Sequence, residues 1–179
     1  MKKSKTMLLS LSALFASLVT VLTMLHLPLP SQSGYFHVGD SMIYIASCVL
    51  PFPYSCLACV IGGALADVLF GSFIWLPFTL IIKALNTLPF IICFKKSKEK
   101  DRFLFAGSAV SAAVSSVITV GGYFIASRIV YSSFAAAIAE TPGNIIQSAA
   151  SFIIFIAVSA ALDAAGIKKR IGFKGDRNG

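Results

Sequence analysis

From Met7 to Leu25 the chain runs for 19 residues without a charge, long enough for one helix across a hydrocarbon layer of about 30 Å. The stretch Leu27-Pro28-Leu29-Pro30-Ser31-Gln32-Ser33-Gly34 follows, and its prolines and glycine cannot continue a helix. The next apolar region, Val38 to Phe94, holds 57 residues, room for three helices of about 19 residues each. Its interruptions fall at Pro51-Phe52-Pro53 and at Gly71-Ser72. Phe103 to Ile167 accommodates two more, with a turn around Tyr131 to Thr141. Thr141-Pro142-Gly143-Asn144 reads as an N-cap followed by proline at the first helical position. The pattern predicts an all-α fold. It is a six-transmembrane-helix bundle forming one domain over 1–179, with helices at 7–25, 38–50, 54–70, 74–94, 103–130 and 142–163.

Composition turns that pattern into a statement about solvent. Hydrophobic residues make up 57% of the chain and charged residues only 12%, with a mean hydropathy of +0.86. A soluble domain carries roughly a quarter charged residues. A water-soluble enzyme is excluded, and membrane lipid becomes the expected surrounding. The net charge of +8 is unevenly distributed. Lys2, Lys3 and Lys5 precede the first apolar run; Lys95, Lys96, Lys98, Lys100 and Arg102 share one polar break; Lys168, Lys169, Arg170, Lys174 and Arg177 follow the last. Such clusters mark cytoplasmic segments, which requires an even number of crossings between them and puts both termini in the cytoplasm. No basic face exists elsewhere, so nucleic acid is not an expected partner. A cleaved leader would also begin with lysines before an apolar core, but this core is long and no A-x-A pattern precedes Pro28.

The first helix carries small residues at helical spacing. Ala13, Ala16, Ser17 and Thr20 form one stripe, and Ser12 with Ala16 forms a second pair. Small side chains let helices approach closely where lipid removes the hydrophobic drive. The stripe serves either the protein's own packing or docking on another membrane subunit. Cys56 and Cys59 have the spacing of a metal or redox motif, yet no histidine or second pair lies nearby; buried small hydrophobes are the better account, and no metal or cofactor is expected.

Polar groups at membrane depth are costly and each calls for a reason. Asp40 either caps the second helix or joins His37 and Tyr44 in a pocket holding a donor, an acceptor and an aromatic wall. Asn144 and Gln147, three apart, project their amides from one helix face, and a carboxamide suits the mixed edge of a heteroaromatic ring. Lys83 and Asn86 are also three apart. Asp67 is the expected partner of Lys83, as a structural ion pair or as part of a ligand contact. Trp75 is an interface anchor or a stacking surface, and Tyr123, after Gly121-Gly122, is expected to face the same cavity. There is no P-loop, no H-E-x-x-H and no paired set of broken helices. The chain is built to hold a small amphipathic molecule, not to energise its movement.

These features together resemble a known family. His37-Val38-Gly39-Asp40-Ser41-Met42-Ile43-Tyr44, Gly63-Ala64-Leu65-Ala66-Asp67, Pro77-Phe78-Thr79-Leu80-Ile81-Ile82-Lys83, Gly122-Tyr123-Phe124 and Pro142-Gly143-Asn144-Ile145-Ile146-Gln147 resemble substrate-binding S components of energy-coupling factor (ECF) transporters. The likeness spans roughly Leu8 to Asp163 and looks closest to the hydroxymethylpyrimidine and pyridoxine-like branch. It implies a non-enzymatic subunit of a bacterial plasma membrane importer that captures a vitamin or vitamin precursor from outside. It also implies association with a transmembrane coupling subunit and two ATP-binding-cassette ATPases. By position, the loop at His37 and Asp40 becomes the gate; Tyr44, Trp75, Lys83, Asn86, Tyr123, Asn144 and Gln147 become candidate ligand contacts. Ser12, Ala13, Ala16 and Ser17 become the docking face, where Ser17 departs from the alanine found in many relatives. The rival readings are a self-sufficient secondary transporter, with Asp67 and Lys83 as a proton-coupled pair, and a membrane enzyme or assembly protein.

Overall fold

A computed structural model describes residues 5–25, 27–28, 35–96 and 102–167. Among these residues the chain forms six helices: α1 (Lys5–Met24), α2 (Gly39–Val49), α3 (Tyr54–Leu69), α4 (Leu76–Lys96), α5 (Ala106–Val130) and α6 (Phe134–Ala164). Four of them, α1, α4, α5 and α6, are long and apolar enough to cross a membrane. The remaining two are shorter, α3 with 16 residues and α2 with 11. Two-residue strands β1 (Leu27–Pro28) and β2 (Tyr35–Phe36) pair antiparallel between α1 and α2, which the sequence pattern does not anticipate. Of the connection that was expected to act as a gate, residues 26 and 29–34 lie outside the described residues, as do most of the basic clusters.

The surface is apolar, and the interior combines an aromatic and aliphatic core with many hydroxyl side chains. Leu14, Val21, Leu57, Ile61, Ile81, Ile92, Val117, Ile125, Ile138 and Ile153 are exposed, while Ser55, Ser108, Ser115, Thr119, Ser127, Ser151 and Ser159 are buried. Hydroxyls serve the interior because each can bond a carbonyl of its own or a neighbouring helix. Ser115 donates to the Asn86 carbonyl at 2.8 Å and Thr20 to the Gly62 carbonyl at 2.9 Å. The second bond marks a close crossing of α1 and α3. A β-carbon on Gly62 would lie 2.6 Å from the Ala16 carbonyl oxygen, so the α1–α3 approach requires glycine there.

Helices α1, α3, α4, α5 and α6 pack in sequence, and α2 lies against α1, α3, α4 and α6. All but one residue of α2 is buried, and a helix this enclosed has no lipid-facing stripe. Tyr44 of α2 stacks on Phe90 with ring centroids 5.7 Å apart and meets Phe155 edge-on at 5.8 Å. At the far end of the bundle, the Asp163 carboxylate accepts from the backbone N–H groups of Phe103 and Leu104, both at 2.8 Å. That fork ties the end of α6 to the start of the α5 segment. The α6 boundary departs from expectation. Pro142 does not start this helix but lies inside it, because the Ser133 hydroxyl caps it eight residues earlier by accepting from the Ala136 N–H.

Candidate substrate-binding cavity

The C-terminal ends of α1, α3 and α5 and the N-terminal parts of α2, α4 and α6 converge on one end of the bundle. There they enclose a cavity of about 340 Å³. Its walls divide into an aromatic side and a polar side. On the first, Trp75 lies 6.2 Å from the Tyr123 ring and 6.0 Å from the Tyr131 ring, centroid to centroid. Thr79 and Tyr123 share a hydrogen bond at 3.3 Å between their hydroxyls. On the second, Asn144, Gln147 and Glu140 arrive from successive turns of α6, and Asp67 from the last turns of α3. Gly143 completes the α6 wall with backbone alone, leaving its neighbours' side chains room to reach inward.

Below the cavity lies a buried polar junction of four helices. The Lys83 ammonium, 1% exposed, lies 2.5 Å from Oδ1 of Asp40, which is fully buried. Gln147 donates to the other carboxylate oxygen at 3.2 Å, and the Thr119 hydroxyl approaches it at 3.4 Å. Thr119 in turn accepts from the Asn86 amide at 2.8 Å. An isolated charge at this depth is very costly; a paired and hydrogen-bonded one is tolerated. Lys83 also sits 5.5 Å from the centre of the Tyr123 ring, a cation–π arrangement that links the junction to the cavity wall.

Of the residues singled out from sequence, His37, Trp75, Lys83, Tyr123, Asn144 and Gln147 line this one cavity. His37 is oriented by the Gly39 N–H, which donates to its Nδ1 at 3.3 Å. Asp40 and Asn86 lie one layer deeper, in the junction. Tyr44 is further away; its ring belongs to the aromatic core and its hydroxyl meets Ser116 at 3.2 Å. The expected Asp67–Lys83 ion pair is not formed, because Asp40 holds the ammonium. Asp67 lines the cavity, and its buried Oδ2 has no hydrogen-bond partner. Thr23, Phe70, Ser72, Thr79, Tyr131 and Glu140 are further wall residues that the sequence pattern does not isolate. Each sits within a few residues of a helix end, where an ordinary cap and a ligand contact look alike.

The small-residue stripes of α1 separate. Ala16 is buried against α3, whereas Ala13 and Ser17 are exposed and Ser12 is half-buried. Ala16 therefore cannot belong to an outward docking face; its neighbour Gly62 already occupies it. Cys48 and Cys59 are buried, and Cys48 donates weakly to the Phe103 carbonyl at 3.9 Å.

Two comparisons with known proteins bear on this arrangement. A protein of Pyrococcus woesei described as an uncharacterized protein in a gap 3′ region is 31% identical over 155 residues, spanning 86% of this chain and 97% of that relative. The family model for the ECF-type riboflavin transporter S component matches residues 3–164, which takes in all six helices and every wall of the cavity. The chain belongs to the family of ECF-type riboflavin transporter S components, subunits of transporters and not enzymes.

Proposed function

We propose that this protein is the substrate-capturing subunit of an ATP-driven importer. It takes up a flat heteroaromatic vitamin of the flavin class from outside the cell and performs no chemistry on it. The observation that carries this reading is the cavity, whose walls bring together three aromatic rings and two carboxamides. Planar rings stack on aromatic faces, and the donors and acceptors of a heterocycle edge match Asn and Gln side chains. The family description names riboflavin, and the cavity volume of about 340 Å³ suits a ligand of several fused rings. A single pyrimidine or pyridine ring, as in the hydroxymethylpyrimidine or pyridoxine-like branch, would leave much of it unfilled.

All six helices cross the bilayer in this reading, with both termini in the cytoplasm. The cavity lies at the end of the bundle away from Lys5, Arg102 and Ile167, so the positive-inside bias supports an extracellular mouth. A transmembrane coupling subunit and two ATPases supply the energy, and the exposed Ala13 and Ser17 face of α1 is the docking surface for the former. The self-sufficient transporter loses its proposed proton-coupled pair, since Lys83 is committed to Asp40.

Titration of the purified protein with riboflavin, following quenching of flavin fluorescence, tests the reading. Saturable one-to-one quenching that Trp75→Ala and Asn144→Ala both weaken is the expected result. Retention of pyridoxine or hydroxymethylpyrimidine with no affinity for riboflavin would move the substrate to the smaller ring class. Retention of none of the three would overturn the capture function.

A further inference from the structure

We propose that Asp40, which does not itself line the cavity, is a positioning residue: it fixes the Gln147 amide so that the carbonyl oxygen, and not the NH2 group, faces the ligand. The cavity then takes a ring that offers an N–H donor at that point. The inference rests on the cavity being the ligand site and adds which end of one wall group the ligand meets.

An amide has a donating end and an accepting end of nearly the same shape, so the chemistry of its neighbours decides which way it points. Gln147 is a buried wall residue of α6, and its Nε2 lies 3.2 Å from Oδ2 of Asp40. The groups bonded to this carboxylate all bring protons. Lys83 approaches Oδ1 with its ammonium, and Thr119 approaches Oδ2 with a hydroxyl that already accepts from Asn86. Paired with Lys83, the carboxylate is ionised and can only accept. Turning the amide over would set Oε1 against a carboxylate oxygen, two buried acceptors with no proton between them, which is costly away from water. The NH2 group of Gln147 is therefore committed inward. Its Oε1 has no hydrogen-bond partner among the described residues, and it is the end left for the cavity.

The second amide of this wall is placed differently. Asn144, three residues earlier on α6, lines the cavity with no side-chain hydrogen bond to any described residue, so it can turn either end to a ligand. One wall thus holds an adaptable amide and a fixed one. Asn144 accommodates, whereas Gln147 demands a donor, and Asp40 sets that demand from the layer behind.

The test uses riboflavin and 3-methylriboflavin, which differ by a methyl group on the one N–H of the oxidised ring system. Both are titrated into the full chain in detergent by calorimetry. The methylated flavin is expected to bind about tenfold or more weakly, since a buried acceptor is left unmet. The ratio is the readout, because a general loss of structure weakens both ligands alike. Gln147→Ala should weaken riboflavin and close most of the gap, whereas Asn144→Ala should weaken both and leave it. Asp40→Asn combined with Lys83→Met removes the pair without stranding a charge and frees the Gln147 amide to turn. That double variant should narrow the gap although both wall amides are intact. Gln147→Asn, an amide too short to reach Asp40, should narrow it likewise, and decides in its place should the double variant fail to fold. Equal affinity for the two flavins in the unmodified protein overturns the inference and leaves the capture function standing. A gap that survives Gln147→Ala overturns the contact with Gln147. A gap that Gln147→Ala closes and the double variant keeps overturns the role of Asp40. If riboflavin itself does not bind, the inference falls together with the reading it rests on.

Discussion

Lys83 and Asp40 come from helices 43 positions apart in sequence and meet where no water is available to screen them. Replacing Asp40 by Asn leaves a cation without its counter-charge in the interior, which should cost about 3–5 kcal/mol of stability. Replacing Lys83 by Met as well removes the stranded charge and should recover much of that loss. Thermal unfolding of the two single variants and the double variant in one detergent measures the coupling; simple additivity would refute the pairing. Asn144 offers a cleaner test of the cavity, since it lines the wall without joining the junction. Its replacement by Ala should weaken ligand binding by about 1–3 kcal/mol, the cost of one unmet buried hydrogen bond. Titration calorimetry reads this directly.

At the scale of helices, the α1–α3 crossing depends on one missing side chain. Gly62→Val puts methyl groups where the Ala16 carbonyl and the Val19 side chain already are, and overpacking of this kind typically costs about 1–3 kcal/mol. A lowered melting temperature with unchanged ligand stoichiometry is the expected outcome. Much of the helix order was legible from sequence because uncharged runs near bilayer length are hard to read otherwise, and α1 and α4 depart from expectation only at their ends. Two features were not legible. Pro142 carries a strong start signal, but Ser133 provides an earlier cap and the helix runs on through the proline. The partner of Lys83 also eluded the pattern: the hairpin between α3 and α4 pointed to Asp67, and only the packing of α2 inside the bundle brings Asp40 to the ammonium instead. The cavity was partly legible for the same reason. Amides and aromatics stand out in an apolar chain, whereas Thr23, Ser72 and Thr79 look like any helix-end hydroxyl.

For the whole molecule, the split of the α1 stripes separates stability from assembly. Ala13→Leu enlarges a side chain that faces outward, and should abolish ATP-driven uptake in reconstituted vesicles while riboflavin binding persists. Ala16→Leu, pressing on α3, should instead lower thermal stability. Uptake that survives Ala13→Leu would move the docking surface to another face.

The length of α6 has a mechanical consequence. Its 31 residues extend about 46 Å at 1.5 Å per residue, against an oily layer of about 30 Å. With the end near Asp163 seated at the inner boundary, as the proposed orientation has it, the opening turns from Phe134 to Glu140 reach the lipid headgroups and Asn144 lies just inside the rim of the oily layer. A vitamin would then enter from water without first crossing acyl chains. Thickening the bilayer would submerge this vestibule, so nanodiscs of progressively longer lipids should show progressively slower capture.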